Sequence, residues 1–479
     1  MQFNSYSYLG LLFCAVAVFW ALPAWARRMY VLALSIGFYA TWSPVYVLVP
    51  IVLCIGVFLI AQKCVSGSHA GSWYWAGIGY ALAFLVAFRY HEPIVAALTA
   101  VERAFRMAPA RTAIQIAVPL GISFYTFEAI SYLIDVRQKR SMPNRFGDLL
   151  LFVMFWPHVI AGPIVRFREL APQLGFEKKF ELSMLLSGMD RLVWGLVQKN
   201  LLADPLSRFV DEGFLIQISR ANTWLDNWFL AAAFGLQIYF DFAAYSNMAI
   251  GAAKMIGITL PENFRFPYHA KNPADFWQRW HMTLSRWIRD YLFFPINARF
   301  QGAPLPLYFS LLAIMAVVGL WHGVGWGFVL WGVLHGCYLV AYRIWDATRQ
   351  KRTPPAQPSR LSQFVWQALT LLAVVAAWVP FRATSLPQAG GMLRSMFFTF
   401  NPRISFSLNF YLVTLLVGVV CMIEPYLRDW IGKLDAMAEH HVRVAAANTY
   451  VLRPALYALG LLLFIIFDGR DVQFIYFQF

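Results

Sequence analysis

A succession of apolar stretches, each long enough to cross a lipid bilayer or nearly so, constrains this chain more than any motif in it. They run from Tyr8 to Trp25, Tyr30 to Thr41, Tyr46 to Ala61, Trp73 to Phe88 and Ile114 to Ile134. Others follow from Leu149 to Ile164, Leu182 to Leu202, Trp224 to Ile256, Leu305 to Trp321 and Gly325 to Ile344, then Phe364 to Phe381, Leu408 to Ile423 and Tyr450 to Phe467. About twenty apolar residues in helical form cross the hydrocarbon layer. Several stretches are short or interrupted by Gly and Pro, so about eleven spans are expected, with some tilted or re-entrant segments among them. Composition agrees: 60% of the 479 residues are apolar and 13% charged, against roughly 45–50% and 25% in soluble domains. The expected fold class is an all-α polytopic integral membrane protein, with no room for a sizeable soluble domain. Aromatic residues make up 17% of the chain, which suggests wide interfacial belts or a lined cavity.

The net charge of +15 raises nucleic acid as a partner, but the basic residues fall between apolar segments, as in polytopic proteins. Arg137 to Arg145 carries four basic residues and no acid; Arg265 to Arg299 carries six against Asp275 and Asp290; Arg343 to Arg360 carries five against Asp346, with Pro354, Pro355 and Pro358 marking a surface loop. The positive-inside rule places all three at the cytoplasmic face. Nucleic acid is set aside. Met1 to Ser7 lacks Lys and Arg, and Arg27-Arg28 follows the first apolar run, so that run reads as an uncleaved first span with its N-terminus outside. Five cysteines without CxxC spacing give neither a disulfide framework nor a zinc site.

From Asp275 to Pro295, a helical wheel gathers Trp277, Trp280, His281, Leu284, Trp287, Ile288 and Tyr291 on one side and Arg279, Arg286, Arg289 and Asp290 on the other. That pattern predicts a single interfacial helix lying in the membrane plane. Gly319-Leu320-Trp321-His322-Gly323-Val324-Gly325-Trp326-Gly327 places a histidine among glycines where two apolar runs meet. Such glycines break a helix or admit another backbone, so His322 is expected at a discontinuity, either as a general base or as a structural histidine. His335, thirteen residues on, lies about 20 Å away along a continuous helix and reads as structural. Gln237, Asp241 and Tyr245 form a polar stripe at i, i+4 and i+8; Asp241 needs a partner, expected to be an Arg or His of the amphipathic stretch, in a functional site or a structural ion pair. No phosphate-binding glycine loop, HExxH or GxSxG motif stands out.

Six segments together resemble the membrane-bound O-acyltransferase family: Pro119-Leu120-Gly121-Ile122-Ser123-Phe124-Tyr125-Thr126-Phe127, Ile160-Ala161-Gly162-Pro163-Ile164-Val165-Arg166, Gln237-Ile238-Tyr239-Phe240-Asp241-Phe242, Asn263-Phe264-Arg265-Phe266-Pro267-Tyr268, Asp275 to Ser285 and Trp321-His322-Gly323. The resemblance is nearest to its bacterial branch of alginate O-acetylation and teichoic-acid D-alanylation membrane proteins, which the segment Phe474-Ile475-Tyr476-Phe477-Gln478-Phe479 also resembles. The chain departs from the family at Ala243-Ala244 and Asn247, where Ser-Gly and Asp are usual.

The resemblance implies one membrane-embedded acyltransferase domain over 1–479, with core motifs in 119–340, peripheral helices in 1–110 and further helices in 361–479. It implies helices around a central tunnel joining a cytoplasmic donor to an acceptor on the far side. His322 then matches the catalytic histidine and His281 the second active-site position, with Asp241, Gln237, Trp321, Arg279 and Tyr476 as candidate substrate-binding residues. The expected reaction passes an acetyl group from a thioester, acetyl-CoA above all, to an extracytoplasmic polysaccharide such as alginate, with no bound cofactor or metal. A periplasmic hydrolase-like acetyltransferase is the expected partner and the bacterial inner membrane the location. Tyr476 could relay the acetyl group or serve as an aromatic anchor. The alternatives are a transporter or flippase without chemistry, a synthase scaffold, or D-alanyl transfer.

Overall fold

The computed structural model describes the chain except residues 1, 66–67, 105–116, 141–144, 217–222, 301–302, 353–358, 401–403, 441–445, 468–473 and 476–479. Tyr476 and the loop marked by Pro354, Pro355 and Pro358 therefore lie outside the described residues. The described residues form helices joined by turns, with no strand among them. Among the described residues, seven helical segments are long and apolar enough to cross a membrane: Val45–Cys64, Ala70–Arg89, Pro304–His322, Trp326–Arg349, Arg360–Arg382, Leu408–Lys433 and Asn448–Ile466. Tyr6–Ala21 is apolar but shorter. The chain is a polytopic all-helical membrane protein.

Two compact units divide it. The first comprises Met1–Met189 with Ala249–Pro261, the second Asp190–Met248 with Glu262–Phe479. In the first unit, helix Ile122–Arg137 is buried along most of its length, with Thr126, Glu128, Ser131 and Asp135 inside. Its start is fixed by Gly121, whose φ of +74° suits the left-handed turn and whose missing Cβ would stand 2.0 Å from the Val159 carbonyl oxygen; only glycine meets both demands. Helix Phe146–Met154 then gives way to the Trp156-Pro157-His158 turn, where His158 Nδ1 lies 3.2 Å from Glu128 Oε1, both side chains buried.

Helix Trp224–Met255, whose residues up to Met248 belong to the second unit, is buried on all sides over most of its length, as a helix at the heart of a bundle must be. Helices Pro304–His322 and Trp326–Arg352 pack as a close hairpin. A Cβ on Gly319 would stand 2.1 Å from the Phe328 carbonyl oxygen, and one on Gly332 2.1 Å from that of Met315. The two glycines let the backbones touch, which hydrocarbon packing alone rewards in a membrane.

The expected single interfacial helix from Asp275 to Pro295 is broken. Helix Pro273–Trp277 stops, the chain turns through His281 at φ +40°, and helix Met282–Ile288 begins, followed by a π-helical turn at Arg289–Phe293 and helix Phe294–Arg299. Periodicity predicted the buried face correctly at Trp277, Trp280, His281, Leu284, Trp287 and Tyr291, but not the break. Its cause is a strap from outside the stretch: the Met282 N–H donates to the Asn263 carbonyl at 2.8 Å and the Arg265 N–H to the Arg279 carbonyl at 2.9 Å. These bonds replace helical ones at the turn and hold the backbone in its unfavourable conformation, which costs a non-glycine residue about 1–2 kcal/mol.

Candidate active site

The Pro304–His322 helix ends at His322, and Gly323 leaves it in an extended conformation before Trp326 starts the next helix. The expected discontinuity is thus present at this residue. The His322 imidazole is buried, with ring centroids 4.7 Å from Trp321, 5.1 Å from Trp331 and 5.4 Å from Phe381. Three aromatic rings thus wall the imidazole.

His281 reaches the same place from the strained turn. Its ring is buried, packed edge-on against Phe242 at 4.7 Å and set 6.4 Å from Trp321. Trp321 therefore neighbours both imidazoles, closing the forty-one-residue gap in sequence. Burial first, and the nearby His322 second, hold the His281 imidazole well below its ordinary titration range, so it is neutral at physiological pH.

Asn263, fully buried, fixes the protonation of His281. The Asn263 Nδ2 donates to Ser246 Oγ at 3.0 Å, while its Oδ1 accepts from Thr283 Oγ1 at 2.9 Å and stands 3.0 Å from His281 Nδ1. An amide oxygen only accepts, so the network assigns the proton to Nδ1 and leaves Nε2 as the basic nitrogen. Sequence reasoning quoted Asn263 within a matching segment without giving it a role. Its signal was the lone amide opening an aromatic segment, Asn263 to Tyr268.

The remaining candidates separate. Trp321 belongs to the histidine pair. Asp241 is buried and bonded to Lys199 Nζ at 2.7 Å, rather than to an Arg or His of the amphipathic stretch. Lys199 also lies 2.8 Å from Asp204 and was missed because it sits at the end of an apolar run. Arg279 donates to Asp275 Oδ1 at 2.8 Å and is engaged at the strap. Gln237 is buried one turn before Asp241. His335 is enclosed by Phe276, Trp277 and Trp331, whose centroids lie 5.0–5.7 Å away, in keeping with a structural role.

A cavity of about 400 Å³ opens by the His281 turn, with neither imidazole in its lining. Trp277 and Met282, which flank the His281 turn, line it together with Ile314, Arg286, Arg289 and Arg343. One part is apolar and the other carries three guanidinium groups.

Residues 122–379 match the model of the membrane-bound O-acyltransferase family. The chain belongs to that family. It is 35% identical over 376 residues to a probable alginate O-acetylase of Pseudomonas putida, covering 78% of this chain and 75% of the relative. A peptidoglycan O-acetyltransferase of Helicobacter pylori is 30% identical over 405 residues, 78% of this chain and 74% of that one. A teichoic acid D-alanyltransferase of Bacillus subtilis is 29% identical over 249 residues, 48% of this chain and 60% of that one. The protein is a multi-pass membrane O-acyltransferase, and the matched region contains both imidazoles, Asn263 and Asp241.

Proposed function

We propose that this O-acyltransferase moves an acetyl group from acetyl-CoA across the bacterial inner membrane for O-acetylation of an extracytoplasmic polysaccharide, alginate being the first candidate. The observation that carries the reading is the convergence of two buried histidines on Trp321, with His281 held in one tautomer by Asn263. The acyl group and polymer follow the names of the most similar relatives, which include alginate and peptidoglycan O-acetylating proteins.

In this reading His322 takes the proton of an acceptor hydroxyl as its oxygen attacks the thioester carbonyl. A C–O bond forms, the C–S bond breaks when the tetrahedral intermediate collapses, and the proton passes from His322 to the departing thiolate. His281, whose Nε2 carries a lone pair, orients the acceptor by accepting a hydrogen bond from a second polar group of it, which leaves the single proton of the attacking hydroxyl to His322. The Asn263 bond favours that role over oxyanion stabilisation, which needs a donor at the same nitrogen. The cavity by the His281 turn suits the donor: the guanidinium groups of Arg286, Arg289 and Arg343 match phosphates, and its apolar lining matches a pantetheine-like arm.

A periplasmic hydrolase-like acetyltransferase completes the transfer to polymer. The immediate acceptor is its serine, the sugar, or Tyr476 as a relay; unchanged polymer acetylation in Tyr476→Phe removes the last. The deciding experiment measures thiol release from acetyl-CoA by purified full-length protein in lipid nanodiscs. Wild type is expected to turn over and His322→Ala to fall to background, whereas equal rates, or none in either, would favour a carrier without chemistry.

A further inference from the structure

Three of the buried charged side chains cluster apart from the histidine pair. Lys199 is fully buried in the π-helical stretch Gln198–Ala203, Asp204 opens the next helix, and Asp241 sits in the middle of Trp224–Met255. Lys199 Nζ lies 2.7 Å from Asp241 Oδ1 and 2.8 Å from Asp204 Oδ1. An ion pair at this depth is not needed to hold helices together, because apolar side chains of equal volume do so as well or better. Wide π turns inside helices are also frequent at functional positions.

The cluster has a second set of contacts, all to one distant piece of chain. Asp241 Oδ2 accepts a hydrogen bond from the Ile475 N–H at 2.8 Å. The Lys199 ammonium lies 4.4 Å from the centroid of the Phe474 ring, which also meets Tyr245 edge-on at 5.1 Å. Phe474 and Ile475 are both buried. One side chain recognises a backbone N–H, one recognises an aromatic face, and Tyr245 closes the third side. Asp241 and Tyr245, the last two members of the i, i+4, i+8 stripe, thus share one target.

We propose that Lys199, Asp204 and Asp241 form an internal receptor for the 474–475 segment, with Lys199 and Asp241 as positioning residues that seat this segment beside the acyl-transfer site. The proposal rests on the acetyl-transfer reading above. Its link to the site is one residue long: Phe242, next to the Asp241 that holds Ile475, packs against the His281 ring. Lys199 neutralises Asp241 and thereby allows a carboxylate to be buried there at all, and the oxygen turned away from Lys199 is the one given to the segment. Removing Lys199 leaves two buried carboxylates without their cation, and removing Asp241 takes away one of that cation's two partners, so either change disturbs the helices themselves. The informative changes are therefore on the segment, where the helices and their ion pair stay intact.

Ile475→Pro deletes the donated N–H, and Ile475→Val keeps it. In full-length protein, polymer O-acetylation in cells is expected to fall at least tenfold in Ile475→Pro and to stay near wild type in Ile475→Val. Phe474→Ala should give a smaller loss. Hydrogen exchange at the peptide holding 474–475 should lose protection in Ile475→Pro, while the KM for acetyl-CoA in purified protein stays unchanged. Wild-type acetylation in Ile475→Pro with protection lost would overturn the positioning role, and protection retained there would overturn the receptor. The acetyl-transfer reading fails separately, through thiol release that survives His322→Ala.

Discussion

Two buried histidines in this protein have opposite partners. In the first unit His158 faces the carboxylate of Glu128 at 3.2 Å, and Glu128 also accepts from the Val165 N–H. In the second, His281 faces the neutral amide of Asn263 at 3.0 Å. The Glu128 carboxyl ties the His158 ring down in a buried polar pair. An amide oxygen orients the ring equally well but adds no charge, so the imidazole stays neutral with its second nitrogen basic. The lesson is that burial alone does not set the chemistry of a histidine; the group hydrogen-bonded to its other nitrogen contributes too.

The largest expected effect breaks the comparison at its chemical end. Replacing His322 with Ala should reduce acetyl transfer by about 10²–10⁴-fold, the usual worth of a positioned base, whereas His158→Gln should leave kcat per folded molecule unchanged. Equal losses in the two would erase the distinction. Next, Asn263→Ala removes the acceptor that fixes the His281 tautomer. An unmatched buried donor is worth about 1–3 kcal/mol, so a loss of roughly 5–150-fold in kcat is expected. Asn263→Gln should not restore it, because the longer amide misplaces the oxygen.

On the structural side, Glu128→Gln should lower thermal stability by about 1–3 kcal/mol through the buried pair while the KM for acetyl-CoA holds, as measured by melting in detergent beside steady-state kinetics. The smallest effect concerns the Lys199 cluster, where burial pushes the Asp204 carboxyl up to about 7, with Lys199 pulling the other way. A carboxyl raised on folding contributes stability that is present below the unfolded value of about 3.9 and is lost as pH rises through about 7. Between pH 5 and 7.5 the wild-type melting temperature should therefore fall by more than that of Asp204→Asn. Parallel slopes would place the Asp204 carboxyl in its ordinary range.

Much of this was legible before any coordinates. His322 stood out because glycines crowd a polar residue between two apolar runs, and the hairpin shows what they are for, close backbone approach at Gly319 and Gly332. The buried face of the amphipathic stretch was also legible, since burial obeys the same periodicity whether or not the helix is continuous. The break at His281 was not. It is imposed by Asn263 and Arg265, about eighteen residues upstream for Asn263, and the local pattern holds no record of a strap that forms only on folding. The partner of Asp241 was hidden for a related reason. Lys199 lies forty-two residues away at the end of an apolar run, so pairing required a tertiary contact, and the amphipathic stretch offered nearer cations that the structure commits elsewhere, Arg279 to Asp275 among them.

The claim that a neutral partner keeps His281 basic is tested most directly by the pH–rate profile of acetyl-CoA turnover in wild type and Asn263→Asp. A carboxylate at 263 puts a negative charge against the His281 ring and should raise the pKa of His281, moving the acidic limb of activity upward by about 1–3 pH units while activity recovers on the alkaline side. Superimposable profiles, or a limb displaced toward acid, would contradict the account.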